Sequence, residues 1–340
     1  MKKKLLSLVL AVSMILTLAA CGGGATPSGG GEADAAPADG GAYTIVVMPK
    51  LVGIPYFTMT GDGAKQAGEE LGVNVIYNGP TTADAAQQVT MLEDYISQGV
   101  DAICVAPNDA AAMTNVLRKA REAGILVLDW DTTADPSLTD CSVHQVNDQH
   151  FGEHMVDKLV EYMGTDTGDI ALVTGGLSAA NLNTWIKASQ DYIAANFPNL
   201  NIVADPFPTD EKQDVAFSTT KDIMRAYPEV IGILGYSTPT APGIGEAIRD
   251  MGMQNQVTVV ANGVEADVQD VLSDGSLDCG NLWKCEDLGY ITVAVAKYLL
   301  DGNTPADGDV IEGWSEPLIV TNDGHDVYMP DHGSDFELAG

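Results

Sequence analysis

An ammonium, carboxylates, amides and aromatic rings recur at intervals along this chain. Lys50 is followed by Tyr56 and Phe57, then come Asn108-Asp109 and Asp129-Trp130-Asp131. The series resumes with Asn181, Asn183 and Trp185, then Tyr236-Ser237-Thr238, Asn262 and Trp283-Lys284. Carboxylates and amides each make several hydrogen bonds, and aromatic faces cover the apolar C–H side of a sugar ring. Gathered in one place, this mixture suits a polyhydroxylated small molecule. Micromolar affinity needs about −8 kcal/mol. Several charge-assisted hydrogen bonds at about 1.5–3 kcal/mol each, with ring stacking, supply that after binding costs.

Catalytic patterns are missing. The chain has no G-x-S-x-G elbow, Walker A loop or H-E-x-x-H motif, so an enzyme is not expected. His150 and His154 stand four apart on an expected helix, with Glu153 alongside and His144 upstream. Spacing fixes no third ligand, so a solvated helix face is the expectation there. Asp129, Asp131 and Asp135 lack the glycine and terminal glutamate of a calcium loop. Neither a metal nor a cofactor is expected.

The elements that would position these residues alternate. Strands are expected at 44–48, 73–77, 102–106, 125–128 and 142–144, with helices at 63–71, 83–97 and over Met113, Leu117 and Ala120. The pattern restarts with strands at 170–174, 201–204, 230–234, 257–261 and 277–282, and helices at 180–195, 211–226, 241–251 and 287–300. Strands separated by helices of this length imply parallel sheets with helices on both faces. There are too many strands for one small sheet, so the expected fold is α/β with two doubly wound parallel-sheet lobes. In such sheets ligands bind beyond the carboxyl ends of the strands, which is where the polar residues above fall. Ile311, Trp314 and Leu318-Ile319-Val320 suggest a last strand on the second lobe, with a surface tail after it.

The N-terminus has the order of an export signal: Lys2-Lys3-Lys4, an apolar run at 5–18 too short to span a bilayer, then Ala19-Ala20. Leu18-Ala19-Ala20-Cys21 resembles the bacterial lipobox, which implies lipidation of Cys21 and a stable anchor on the outer face of the membrane. Residues 22–42 carry no bulky apolar side chain before a tyrosine and read as a flexible tether. Loss of the three lysines with the leader takes the formal charge from −32 to −35. A surface so acidic argues against nucleic acid and anionic head groups as partners. Cys104, Cys141, Cys279 and Cys285 remain, and four cysteines leave three pairings open beside free buried thiols.

Met48-Pro49-Lys50-Leu51-Val52-Gly53-Ile54-Pro55-Tyr56-Phe57 resembles the first strand and loop of type I periplasmic sugar-binding proteins, in the branch of the autoinducer-2 receptor and the rhamnose-binding protein. Asp129-Trp130-Asp131, Asn183-Thr184-Trp185, Ala226-Tyr227-Pro228 and Leu282-Trp283 with Asp287-Leu288-Gly289-Tyr290 follow in the same order, and the resemblance covers 43–308. It implies two lobes joined by three crossovers, a sugar-like ligand captured between them by hinge closure, and delivery to an ABC permease by a monomer. A sugar sensor serving a chemoreceptor or histidine kinase is the alternative use of the same fold. A transcriptional regulator of this fold is disfavoured by the export signal and the lack of a helix-turn-helix segment.

The division this implies is a leader at 1–20, Cys21 with its linker at 21–42, a first lobe of 43–143 plus 262–308, and a second of 144–261 plus 309–340. Asp131 becomes the main hydroxyl acceptor, Lys50 a donor to a ring or hydroxyl oxygen, and Phe57 or Trp283 the stacking ring. Lys50 and Asp131 match the autoinducer-2 pattern. Asn181-Leu182 replaces its aspartate and glutamine, and Tyr236 and Thr238 replace its proline and alanine. Lys284 stands where these families usually have an acid or amide. Leu182 removes hydrogen bonds that a compact, hydroxyl-rich signal needs, so a monosaccharide or sugar-like polyol is the expected ligand.

Overall fold

The computed structural model describes residues 42–330 and 334–337. The expected leader, the expected lipidation site Cys21 and the expected linker up to residue 41 lie outside the described residues. From β1 (Thr44–Met48) the chain runs α1 (Pro55–Leu71), β2 (Asn74–Tyr77), α2 (Ala85–Gln98), β3 (Ala102–Val105), α3 (Ala110–Glu122), β4 (Leu126–Trp130) and β5 (Cys141–His144). It continues through α4 (Asp148–Met163), β6 (Gly168–Thr174), α5 (Ala180–Asn196), β7 (Leu200–Ile202), β8 (Phe207–Pro208), α6 (Gln213–Ala226), β9 (Val230–Gly235), α7 (Thr240–Met251) and β10 (Thr258–Asn262). Then come α8 (Glu265–Ser273), β11 (Cys279–Leu282), α9 (Cys285–Leu300), β12 (Ile319–Thr321), β13 (Asp326–Tyr328) and β14 (Ser334–Glu337).

The strands form two sheets. One has the order β12-β13-β5-β4-β3-β1-β2; the other is β14-β11-β10-β9-β6-β7, with β8 beside β6. Pairing is parallel except for β12 with β13 and β11 with β14. This is the expected two-lobed α/β architecture. The central strands are buried on both faces, as in Ala102–Val105 and Cys279–Leu282, because helices cover both sides. Helix ends follow local chemistry. The Asp84 carboxylate accepts from the N–H groups of Ala86 and Gln87 to start α2, and Gly99 ends it in the left-handed conformation.

The lobe boundaries differ from expectation after residue 262. β11 pairs with β10, so the segment leading to Leu282 stays in the second lobe, and the return to the first lobe comes at Trp283-Lys284. From there α9 packs on α1, with Gly63 and Gly289 at the contact: a Cβ on Gly289 would overlap the Thr60 carbonyl, and one on Gly63 the Glu286 carbonyl. The expected last strand on the second lobe is β12, and with β13 it belongs to the first sheet beside β5. Val327 is fully buried there, so this part of the C-terminus is core rather than surface tail. Among the described C-terminal residues, β14 is the strand that pairs in the second sheet. Among the described residues the chain therefore changes sheet three times: between β5 and β6 through α4, between β11 and α9, and between β13 and β14.

Cys104, Cys141 and Cys285 are free buried thiols, and Cys279 is buried as well. Among the described residues no helix is long and apolar enough to cross a membrane, and no three His, Cys, Asp or Glu side chains are grouped to hold a metal ion.

Candidate ligand-binding site

The carboxyl ends of the strands face each other across a cleft lined by Lys50, Ile54, Tyr56, Phe57 and Asp131 from the first lobe. Asn181, Leu182, Trp185, Glu211, Tyr236, Ser237, Thr238 and Asn262 line it from the second, and Trp283 from the crossover. Nine of the expected residues thus meet: Lys50, Tyr56, Phe57, Asp131, Asn181, Tyr236, Thr238, Asn262 and Trp283.

Asp131 sits at the electrostatic centre. Its φ of 60° is left-handed, a conformation that Asp and Asn tolerate better than most residues. The turn is held by Asp131 N–H donating to Val143 O at 3.2 Å and Gln145 Nε2 donating to Asp131 O at 3.0 Å. The carboxylate accepts from Tyr56 Oη at 2.6 Å and Thr132 Oγ1 at 3.1 Å, and lies 3.2 Å from Lys50 Nζ. Burial, with Asp131 alongside, pushes the Tyr56 phenol well above its ordinary pKa, so it stays a neutral donor. Lys50 Nζ also donates across the cleft to Asn181 Oδ1 at 3.0 Å. This ammonium bonds both lobes at once.

Aromatic rings form the floor. Trp283 stands edge-on to Tyr56 with ring centroids 5.8 Å apart, and donates through Nε1 to Tyr56 Oη at 3.3 Å. It also packs against Trp185 at 5.7 Å. Trp185 is itself fixed by donating Nε1 to Asp148 Oδ1 at 2.6 Å, and burial holds that carboxyl above its usual range. Tyr236 is fully buried beneath the second-lobe wall, and burial pushes its phenol pKa up.

Three expected residues do not line the cleft. Asn183 is exposed and donates to Leu177 O at 2.9 Å. Asn183 lies in the first turn of α5, inside the helix expected at 180–195; at about 100° per residue a position two beyond Asn181 faces away, whereas Trp185, four beyond, shares its face. Lys284 is the N-cap residue of α9, with its side chain 64% exposed and 3.8 Å from Asp287. Asn108 is buried behind Lys50: its Nδ2 donates to Lys50 O at 2.7 Å, and its own carbonyl accepts from second-lobe Ser178 Oγ at 2.9 Å. Asn108 positions the lysine loop and one lobe contact. Asn183→Ala and Lys284→Ala are therefore expected to leave ligand affinity within about twofold of wild type; calorimetric titration checks this, and a larger loss at either residue would place it in the cleft after all.

Glu211 lines the cleft without standing among the expected residues. It follows β8 in a turn where Asp210 and Glu211 both have positive φ, 53° and 58°. Thr209 N and Asp210 N donate to Gly175 O, and the carboxylate accepts from Ser237 Oγ while lying against Gly175, where a Cβ would overlap it. Beneath the site, buried Asp129 accepts from Ala134 N at 2.7 Å and from Ser142 Oγ, yet burial still raises its pKa to about 6. A raised carboxyl binds its proton more tightly in the fold than in the unfolded chain. Its contribution to stability therefore falls as pH rises from about 4 to 6. By linkage this is worth up to about 3 kcal/mol. Asp129→Asn is expected to flatten that part of the stability–pH curve measured by urea unfolding; an unchanged slope would contradict the assignment.

The space left among the lining side chains is about 30 Å³. That is one water's share of the liquid, against roughly 300–1,000 Å³ for small-molecule sites. In this arrangement the Lys50–Asn181 bond spans the cleft, so a larger ligand fits only if that bond opens.

The sequence profile of the periplasmic binding protein domain matches residues 45–304. The D-ribose/D-allose-binding protein of Pseudomonas aeruginosa is 24% identical over 273 residues, covering 77% of this chain and 83% of that protein. The D-apiose import binding protein of Actinobacillus succinogenes is 25% identical over 253 residues, covering 74% and 80%. Among solved structures, LsrB from Clostridium saccharobutylicum in complex with AI-2 superposes with a TM-score of 0.81 at 26% identity, covering 86% of this chain and 97% of that one. An ABC transporter solute-binding protein from Clostridium phytofermentas with bound L-rhamnose gives 0.79 at 24% identity, covering 87% and 96%. With its profile match across most of the chain and two sheets joined by three crossovers, the chain belongs to the type I periplasmic binding proteins, the solute-binding family of ABC transporters.

Proposed function

We propose that the protein captures a monosaccharide or sugar-like polyol between its lobes and delivers it to an ABC permease from the outer face of the cell membrane, held there by lipid on Cys21. The observation that carries the reading is the buried Tyr56–Asp131–Lys50–Asn181 chain of hydrogen bonds and ion pair, which joins both lobes at the cleft. Ligand hydroxyls that replace the Lys50–Asn181 bond take over the bridging role, and differential affinity for the closed arrangement drives closure. Ile54, Phe57, Leu182 and Trp185 give apolar surface for the C–H face of a ring or for a deoxy carbon. The relatives support this choice through their named ligands, which are ribose, allose and apiose.

Isothermal calorimetry against pentoses, hexoses, deoxyhexoses, polyols and autoinducer-2 tests the reading. Saturable binding of one sugar at unit stoichiometry, with the sugar recovered unchanged, supports it. Turnover would point to an enzyme, and silence across the panel would remove the simple-sugar reading. Autoinducer-2 is the second reading, favoured by the likeness to LsrB and by Lys50 and Asp131. The buried apolar Leu182 weighs against it. Binding of autoinducer-2 with no sugar bound would reverse that order.

A further inference from the structure

One carboxylate in the cleft has no cation to answer it. Among the lining side chains, Lys50 is the ammonium, and Asp131 and Glu211 are the carboxylates. Lys50 and Asp131 balance each other at 3.2 Å. Glu211, half-buried on the second-lobe wall, accepts only from Ser237 Oγ, a neutral donor. Among the described residues it forms no ion pair. Lys212, next in the chain, is exposed and lines a separate surface hollow with Phe217 and Glu246. One ammonium and two carboxylates leave the lining with a formal charge of −1.

The fold holds Glu211 in that wall at a conformational cost. It is the second of two successive residues in left-handed backbone, which side chains with a Cβ adopt only where the surroundings over-determine it. Here the Thr209 and Asp210 N–H groups both donate to Gly175 O, at 3.1 and 3.2 Å. Thr209 is fully buried and donates Oγ1 to Thr174 O at 3.0 Å. At Gly175 the absence of a side chain makes room for the Glu211 carboxylate, which a Cβ would overlap. A neutral ligand would leave this negative charge unanswered in a cleft shut off from water, which is costly. A ligand that brings its own ammonium answers it.

We propose that the ligand is an amino sugar, with Glu211 as the residue that selects it. Its ammonium pairs with Glu211, and its hydroxyls bond to Lys50, Asp131 and Asn181. The Ser237 bond takes Glu211 Oε2, and a carboxylate keeps sites for several further donors. The inference rests on the reading of the cleft as a sugar site and names the chemistry of that sugar.

The test is calorimetric titration of the intact chain with D-glucosamine, D-galactosamine and D-mannosamine, each beside its neutral parent hexose and its N-acetyl derivative. The acetyl compound keeps an N–H but loses the charge. One amine is expected to bind saturably at one site, about tenfold or more tighter than both of its counterparts. That preference should fall as alkaline pH takes the proton from the ammonium. It should vanish in Glu211→Gln, which still binds the neutral parent, and persist in Asp210→Asn, the exposed neighbour. Neutral sugars that bind as tightly as the amines overturn the inference and leave the sugar reading standing. So does an amine preference that survives Glu211→Gln or is lost equally in Asp210→Asn. If no amine and no neutral sugar binds, the sugar reading itself falls and this inference with it.

Discussion

Asp131→Asn is expected to lower the unfolding free energy by about 3–5 kcal/mol and to abolish ligand binding, because it strands a buried ammonium. The Lys50 and Asp131 side chains are only 5% and 4% exposed, and the pair is 3.2 Å apart. Asparagine is the informative replacement: it accepts the left-handed backbone at 131, so the change removes charge without adding strain. Alanine would confound the two. Adding Lys50→Met should restore much of the lost stability, since it removes the unpaired charge, but should not restore binding. Urea unfolding of the wild type, both single variants and the double variant closes the cycle. Additive effects of the two substitutions would show that Lys50 and Asp131 do not act as a pair.

Gly289→Val is expected to be the other severe substitution, costing about 3 kcal/mol or more through overpacking. A β-carbon there overlaps the Thr60 carbonyl of α1, which is backbone and cannot rotate away. The α1–α9 contact carries the return crossover, so the damage should reach the cleft wall at Tyr56 and Phe57. Gly72→Ala is the control. Its φ of 67° is left-handed but the surrounding space is open, so only the conformational cost of about 1–2 kcal/mol applies. Thermal unfolding compares the two. A Gly289→Val variant as stable as Gly72→Ala would mean that the helices separate without penalty.

Much of this was legible because the fold is written in local pattern. Runs such as Ile45-Val46-Val47 and Ala171-Leu172-Val173 announce buried strands, and their carboxyl ends mark where a ligand sits. That put Lys50, Asp131 and Asn262 at strand ends, and in the structure all three line the cleft. Pattern fails where the answer depends on partners. Both lobes use the same alternation of strand and helix, so nothing local in Cys279–Leu282 says which sheet it joins; pairing with β10 decides. The nine-residue α8 was too short to stand out, and the three-residue β12 and β13 owe their place to pairing with each other and with β5. Pro55 falls in the expected loop after β1, yet it occupies the first turn of α1, where its missing N–H is needed by nothing. Glu211 was hidden more deeply. Its entry into the cleft requires two successive left-handed residues packed on Gly175, a conformation that Asp-Glu does not advertise.

The central claim is that one small ligand touches both lobes. Thermal shift of the wild type, Asp131→Asn in the first lobe and Glu211→Gln in the second, each with the sugar that binds in calorimetry, tests it directly. Binding to the folded form alone raises the melting temperature by mass action. The expected result is a clear shift in the wild type that disappears in Asp131→Asn and shrinks in Glu211→Gln. A shift that survives both substitutions would place the ligand outside this cleft and contradict capture between the lobes.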